Sequence, residues 1–332
     1  LNGNNAGGAA QIAGVILTLV LVLLGVERSS RRNARFHQAS RATRPVAALP
    51  MTGIKGLIAL AFCLVPFGMG FVLPVGVMGW HAFSNPAVWL EPGLAQAALN
   101  TAVVGGIAAV VTVLAALFLL YGVRMAGRRL ARLVLPVTTL GYAAPGAVLA
   151  VGILVPLAAL DHKLADAVLA LTGHDPGLLL TGTAAAIVLA YAVRFFGIAQ
   201  GAIDTAFGRI SPSLPMAARS LGRGAGGTLW SVYLPLMRGS VASALLLVFV
   251  DCVKELPATL LLRPFNFNTL STRVYELASL EHLGRAAPAA LVVVAMGLAA
   301  VALLVMLVAF IDALQPPLHP AAPAAISTAL PL

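Results

Sequence analysis

Long apolar runs alternate with short basic ones along the whole chain. Seven runs come near the roughly 20 residues that a helix needs to cross a bilayer. They are 8–26, 54–80, 97–121, 133–159, 181–200, 239–261 and 287–313. Their apolar character goes all round each helix rather than along one stripe, as burial in lipid and protein together requires. The segment 27–53 is basic and shows no apolar periodicity until Val46, so it reads as a linker. The tail 315–332 is rich in Pro and Ala without charge and is expected to be loosely ordered. Trp80 to Gln96, with Trp80, Phe83, Trp89 and Leu90 beside Pro86 and Pro92, has the makeup of an interfacial belt or of plain connecting structure. Leu164 to Leu171 has the pattern of a short amphipathic piece lying on the surface, or again of a simple connection.

Composition turns this pattern into a solvent argument. The 332 residues are 60% hydrophobic and only 10% charged, with a mean hydropathy of +0.97. A soluble domain carries about 25% charged residues. So little charge cannot cover a wetted surface, which excludes a soluble enzyme and predicts an all-α integral membrane protein with about seven transmembrane helices. The net charge of +10 has two readings. No basic patch is interleaved with aromatics, so nucleic acid is not expected as a partner. The basic residues instead segregate by loop. Arg28 to Lys55, Arg124 to Arg132, and Arg194 with Arg209, Arg219, Arg223 and Arg238 fall on one side; Lys163, Arg263, Arg273 and Arg285 fall on the other. This bias predicts a cytoplasmic basic side, an external start and a cytoplasmic C-terminus. The chain opens on Leu1 with no basic residue before its first apolar run, so no signal peptide is read there and a longer polypeptide is expected upstream. Cys63 and Cys252 lie inside apolar runs and suggest neither a disulfide framework nor a zinc site.

Most catalytic patterns are missing. The lysines are Lys55, Lys163 and Lys254, and none follows a glycine, so no phosphate-cradling Gly-Lys loop exists and no ATP or Mg is expected in this chain. The histidines are scattered over loops with no shared ligand spacing, and no resident metal is expected. Gly222, Gly224 and Gly227 spell GxGxxG, but between two membrane spans rather than after a strand, which makes the match accidental.

The informative polar interruption is Met216-Ala217-Ala218-Arg219-Ser220-Leu221-Gly222, running on to Val232-Tyr233-Leu234-Pro235. Pro212 and Pro215 favour an extended approach to a new helix. Ala217, Ala218 and Gly222 would give that helix a narrow face for close approach, Arg219 and Arg223 a basic edge, and Gly224 to Gly227 its end. Two alanines, three residues, a glycine, nine residues and then Val-x-Leu-Pro resemble the signature of permease subunits of binding-protein-dependent ABC importers. Met216 stands where that family carries Glu, a departure that bears on one polar contact. The resemblance covers about 54–314. It implies a type I ABC-importer permease fold, with a coupling helix at about 212–226 that docks in a cytoplasmic ABC ATPase dimer. Ala217, Ala218, Arg219, Gly222, Arg223, Leu234 and Pro235 would form the coupling segment.

A second group lies in the sixth run: Asp251, Lys254 and Glu255, followed by Leu256-Pro257. Counted from Gly239, Asp251 comes near the middle of a span, and i, i+3 and i, i+4 spacing puts all three charges on one helix face. Such charges are costly in hydrocarbon unless paired or hydrated. They read as lining a pathway or gate, or else as fixing helix packing. Lys254 can pair with one carboxylate and leave the other uncompensated. Pro257 is expected to break the helix there, and Gly141-Tyr142-Ala143-Ala144-Pro145-Gly146 to break the fourth run beside the pathway. The words from Val253 to Leu270 resemble ferric-iron permeases, which are fusions of two six-span halves. Related permeases for aminoethylphosphonate, thiamine and polyamines share parts of the pattern. The hard Fe(III) ion suits the oxygens of Asp251, Glu255, Tyr142 or Tyr191 in transient contact.

These readings combine into one expectation. Residues 1–26 would be the last helix of an upstream permease half, 27–53 a cytoplasmic linker, 54–314 a six-helix permease domain and 315–332 a tail. The resemblance implies a non-enzymatic import permease of a bacterial inner membrane. Its implied partners are a periplasmic substrate-binding protein, an ATPase dimer that holds the ATP and Mg, and an upstream half or second permease copy. An ion-driven secondary transporter using the charged trio is the competing reading. A plain membrane anchor is disfavoured, since an anchor gains nothing from buried charge.

Overall fold

The computed structural model describes residues 51–126 and 128–313, together with 11, 12, 14–16, 18–20, 22, 23, 25 and 26; side chains are not described at 128–132 and 311–313. The expected linker at 27–53 falls almost wholly outside these residues, as does the tail. Of the run 8–26 the described residues are helical, with Ile12, Val15 and Leu19 exposed.

All regular structure among the described residues is helical. The order is α1 (Gly53–Phe67), a π turn (Gly68–Val72), α2 (Leu73–Ser84), a 3-10 turn (Pro86–Leu90), α3 (Leu94–Ala126), α4 (Arg128–Thr138), α5 (Leu140–Ala143) and α6 (Gly146–Thr172). There follow α7 (Ala184–Arg209), α8 (Ser213–Ser220), α9 (Ala225–Thr228), a second π turn (Leu229–Tyr233), α10 (Leu234–Val253), α11 (Pro257–Leu262), α12 (Leu270–Ser279) and α13 (Leu283–Ala313). Six stretches among the described residues are long and apolar enough to cross a membrane: Gly53–Ser84, Leu94–Ala126, Gly146–Thr172, Ala184–Arg209, Ala225–Val253 and Leu283–Phe310. The chain is a multi-pass membrane protein.

The centre is a three-helix contact of α3, α7 and α10. Alanine dominates it, with Ala108, Ala116, Ala186, Ala190, Ala199 and Ala244 all buried. Lipid supplies no hydrophobic drive to join helices, so close backbone approach through small residues has to supply van der Waals contact instead. The same device is most acute at Gly141 in α5: a Cβ there would lie 2.2 Å from the Val193 carbonyl oxygen of α7. Gly141→Ala therefore forces two backbones apart and is expected to cost about 1–3 kcal/mol, read as a lowered Tm in detergent.

Both π turns precede a Leu-Pro pair. Leu73 N–H reaches back five residues to the Gly68 carbonyl, and Leu234 N–H to the Leu229 carbonyl. Pro74 and Pro235 have no N–H to continue the ladder, and their rings must clear a carbonyl one turn earlier. Widening the preceding turn gives that room.

Several expected boundaries shift. The fourth run is broken as expected: α5 stops at Ala143, Ala144 and Pro145 are extended, and α6 starts at Gly146. The spanning helix is then α6, and Leu164 to Leu171 is its continuation rather than a separate surface piece. In the middle of α6, Asp161 is fully buried and holds the chain that follows the helix. The carboxylate accepts from Leu179 N (2.8 Å), Leu180 N (3.1 and 3.0 Å), Thr181 N (2.7 Å) and Thr181 Oγ1 (2.6 Å). This pins the connection to α7. The belt candidate forms a 3-10 turn in which Trp89 Nε1 donates to the Ala82 carbonyl at 3.1 Å, while Trp80, Phe83 and Leu90 stay exposed. Nearby, Glu91 pairs with Arg273 (3.2 Å) and Arg285 (2.5 Å), clamping the start of α3 to α12 and α13.

Candidate functional site

Two groups of residues sit at opposite ends of the stretch Ala225–Val253. At 1.5 Å per residue they are roughly 40 Å apart.

At one end is the short helix α8. The segment does form a helix held between two spans, at 213–220 within the expected 212–226. Its end differs from expectation. The Arg223 N–H bonds to the Ala218 carbonyl (3.0 Å) and the Gly222 N–H to the Arg219 carbonyl (2.9 Å), with Gly222 at φ +82. That is a complete Schellman cap, so the helix ends at Gly222 and not at Gly224 to Gly227, which instead open α9. Gly222 therefore lies off the helix, and Ala217, Ala218 and Gly222 form no common small-residue face. Ala218 is buried inward, whereas Ala217, Met216 and Leu221 (85% exposed) present an outward apolar surface. Arg219 donates to Met125 Sδ at 2.9 Å, and Arg223 is exposed. Leu234 and Pro235 do not precede the sixth span; they lie inside it, just after the π turn. A Cβ at Gly222 meets open space, so the cost of Gly222→Ala comes from its left-handed backbone alone, about 1 kcal/mol. The expected result is a frayed α8, seen as faster proteolysis at 221–224, with no steric block to a docked protein.

At the other end the trio does not share one helix face. α10 stops at Val253, Lys254 to Leu256 interrupt it, and Pro257 opens α11. Lys254 Nζ pairs with Asp251 at 2.6 Å and remains 64% exposed. Glu255 turns the other way. It is 6% exposed and meets Arg194 of α7, whose Nε lies 3.0 Å from its Oε2, an ion pair in distance though not a linear hydrogen bond. Arg194 also donates from Nη1 to the Ala144 carbonyl at 2.8 Å, at the break between α5 and α6. Glu255 Oε1 accepts from Ala258 N at 3.2 Å. Two interrupted helices thus meet over the middle of α7. Gly146 is the contact point: a Cβ there would lie 2.6 Å from Glu255 Oε1. Interrupted helices free backbone groups that hydrocarbon cannot satisfy, and here an ion pair satisfies them.

Arg194 is not one of the basic loop residues, contrary to the sequence expectation: it is the eleventh residue of α7, and the basic side has one charge fewer. It compensates the carboxylate expected to be left over. Tyr191 is likewise spoken for, being buried with its hydroxyl 2.5 Å from Thr259 Oγ1. Tyr142 lies at the expected break but is 56% exposed and makes no hydrogen bond among the described residues, so it does not join the charged group. Of the four side chains suited to a hard cation, Asp251, Glu255 and Tyr191 are engaged within the protein. Among the described residues no cluster of three or more His, Cys, Asp and Glu could hold a metal ion.

The chain matches no protein-family model. It is similar to the Fe(3+)-transport system permease protein FbpB 2 of Haemophilus influenzae, with 26% identity over 309 residues, covering 88% of this chain and 55% of that protein. The ferric transport system permease protein FbpB of Actinobacillus pleuropneumoniae is 26% identical over 196 residues, 58% of this chain and 26% of that one. The chain thus spans about half the length of the first of these relatives and matches about a quarter of the second. In structure it resembles a chain of a bacterial ABC transporter that imports the acidic polysaccharide alginate, at a TM-score of 0.58 and 14% identity, covering 78% of this chain and 96% of that one. A second structure of an alginate ABC transporter, in complex with a periplasmic protein bound to an alginate pentasaccharide, gives a TM-score of 0.56 at 14% identity, over 76% and 92%. The all-α fold is that of ABC-importer permeases.

Proposed function

We propose that this chain is the membrane-spanning part of an ATP-driven ABC importer for ferric iron. The observation that carries the reading is α8, a capped eight-residue helix with an outward apolar surface, followed directly by the span Ala225–Val253 of a permease fold. A separate ATPase dimer, holding the ATP and Mg, docks on Met216, Ala217 and Leu221. The α8 end is then cytoplasmic and the clamp of Glu91, Arg273 and Arg285 faces a periplasmic binding protein that delivers iron. The exposed Lys254 belongs against a second permease unit or a water-filled path, because a lysine facing lipid at that depth is disfavoured by about 2.5–3.5 kcal/mol even on insertion scales. That second unit is an upstream half or a second copy. The similarity to two ferric permeases favours iron over the phosphonate, thiamine and polyamine alternatives.

In this mechanism the chain makes no bond and breaks none. ATP binding in the partner displaces α8, and the displacement shifts the balance between outward- and inward-facing states through contacts that differ in the two. The test is uptake of Fe(III) into proteoliposomes holding the full transporter. Uptake is expected to need ATP, the ATPase and the binding protein together. Uptake that persists without ATP and the ATPase overturns the proposal in favour of an ion-driven carrier working through Asp251 and Lys254.

A further inference from the structure

Besides the Arg219–Met125 contact, a side chain that the reading above does not use ties the segment after α8 to the core. Tyr121 of α3 donates its hydroxyl to the carbonyl of Ala225, the first residue of α9, at 2.6 Å. Its ring belongs to a three-membered aromatic cluster. Tyr121 stacks on Phe207 of α7 with centroids 6.4 Å apart, Tyr233 meets Tyr121 edge-on at 5.7 Å, and Phe207 meets Tyr233 edge-on at 5.1 Å. Arg124 lies over the Phe207 ring at 4.9 Å and pairs with Asp204 at 2.9 Å. The cluster therefore holds α3, α7 and the last residue of the second π turn together.

The position of this tie matters because of what lies on either side of it. Ala225 comes just after the Schellman cap of α8 and just before Leu229–Tyr233. A π turn is a soft point in a helix. The cap, the single turn of α9 and then that π turn separate α8 from the long helix α10, so a push on α8 that nothing else carried would bend the π turn and die out there. Tyr121 grips the chain ahead of the turn, and the ring cluster grips it at Tyr233. Both ends of the soft point are thereby held to the same two core helices.

We propose that Tyr121 is a positioning residue for the coupling segment: its hydroxyl holds the α8–α9 connection against α3, so that displacement of α8 is passed to the core helices rather than absorbed in the π turn. This rests on the docking of an ATPase at α8. Tyr121→Phe tests it, since the ring contacts survive while the hydroxyl's bond to the Ala225 carbonyl and its interaction with Arg219 of α8 are lost. Hydrogen exchange of the full chain in nanodiscs is expected to quicken about tenfold at the amides of 225–233, with the core of α7 unchanged. In the reconstituted transporter the ATPase is expected to co-purify as with the wild type and the KM for ATP to stay within about twofold, while Fe(III) imported per ATP hydrolysed falls about tenfold. A merely structural role would lower assembly and hydrolysis together. Unchanged exchange at 225–233, or faster exchange with unchanged import per ATP, overturns the proposal. If the wild type captures no ATPase, the functional reading fails instead, and the exchange measurement still decides whether Tyr121 holds the segment.

Discussion

Arg194→Leu lowers the stability of the folded chain by about 3–5 kcal/mol. The size follows from what is left behind. Glu255 is buried at the meeting of two interrupted helices, and Arg194 is the cation beside it. Without the guanidinium, a carboxylate stays in a low-dielectric site with Ala258 N–H as the one hydrogen-bond donor to its side chain among the described residues, and the Ala144 carbonyl at the helix break loses its side-chain donor as well. Glu255→Ala is expected to fall in the same range, since it strands Arg194. The double variant Arg194→Leu/Glu255→Ala, which removes both charges, is expected to recover most of the loss. Thermal unfolding in detergent gives the three values, and additive single and double effects would show that the two side chains do not act as a pair.

Asp161→Ala is the second large effect, expected at about 3 kcal/mol or more, because hydrogen bonds to a charged acceptor contribute about 1.5–3 kcal/mol each and do not simply add. Every partner of this buried carboxylate is a donor: three backbone N–H groups and the Thr181 hydroxyl. Truncation leaves them facing an empty site, and the turn from Leu179 to Thr181 loses its anchor on α6. Asp161→Asn is expected to lose a large part of the same stability, since its amide group brings a donor towards donors. Limited proteolysis at 173–183 together with Tm reads both, and wild-type resistance in Asp161→Ala would sink the anchoring role.

Much of the architecture was legible because hydropathy and proline both act locally. Runs of apolar residues located the six described spans, and Pro145 and Pro257 located both breaks, since a missing N–H interrupts a helix whatever surrounds it. What the sequence hid was pairing across distance. Glu255 and Arg194 are 61 positions apart, and a count of spacings within one helix assigns Glu255 to a face it leaves once the chain turns at Lys254. A signal did exist: Arg194 interrupts an apolar run well inside its limits, and a lone arginine at that depth needs a carboxylate. Asp161 offered no such clue, because its partners are backbone groups that no residue type announces. The coupling segment was legible in its location but not in its ending. Gly222 and the run Gly224 to Gly227 are both glycine-rich, and only the left-handed φ of Gly222 shows which one stops the helix.

The two π turns change how the helices keep time. Thr228 and Met237 are both buried, yet nine residues on an unbroken α-helix amount to about 900° and would put them on opposite sides. One surplus residue in Leu229–Tyr233 resets the phase between them. Face assignments made at a period of 3.6 must therefore restart after Val72 and again after Tyr233. The same property sets where these spans tolerate a change in length. Loss of one residue from the regular part of α10 swings everything beyond it by about 100°. Loss of one residue from the π turn, with Pro235 exchanged for alanine, leaves both flanking faces in step.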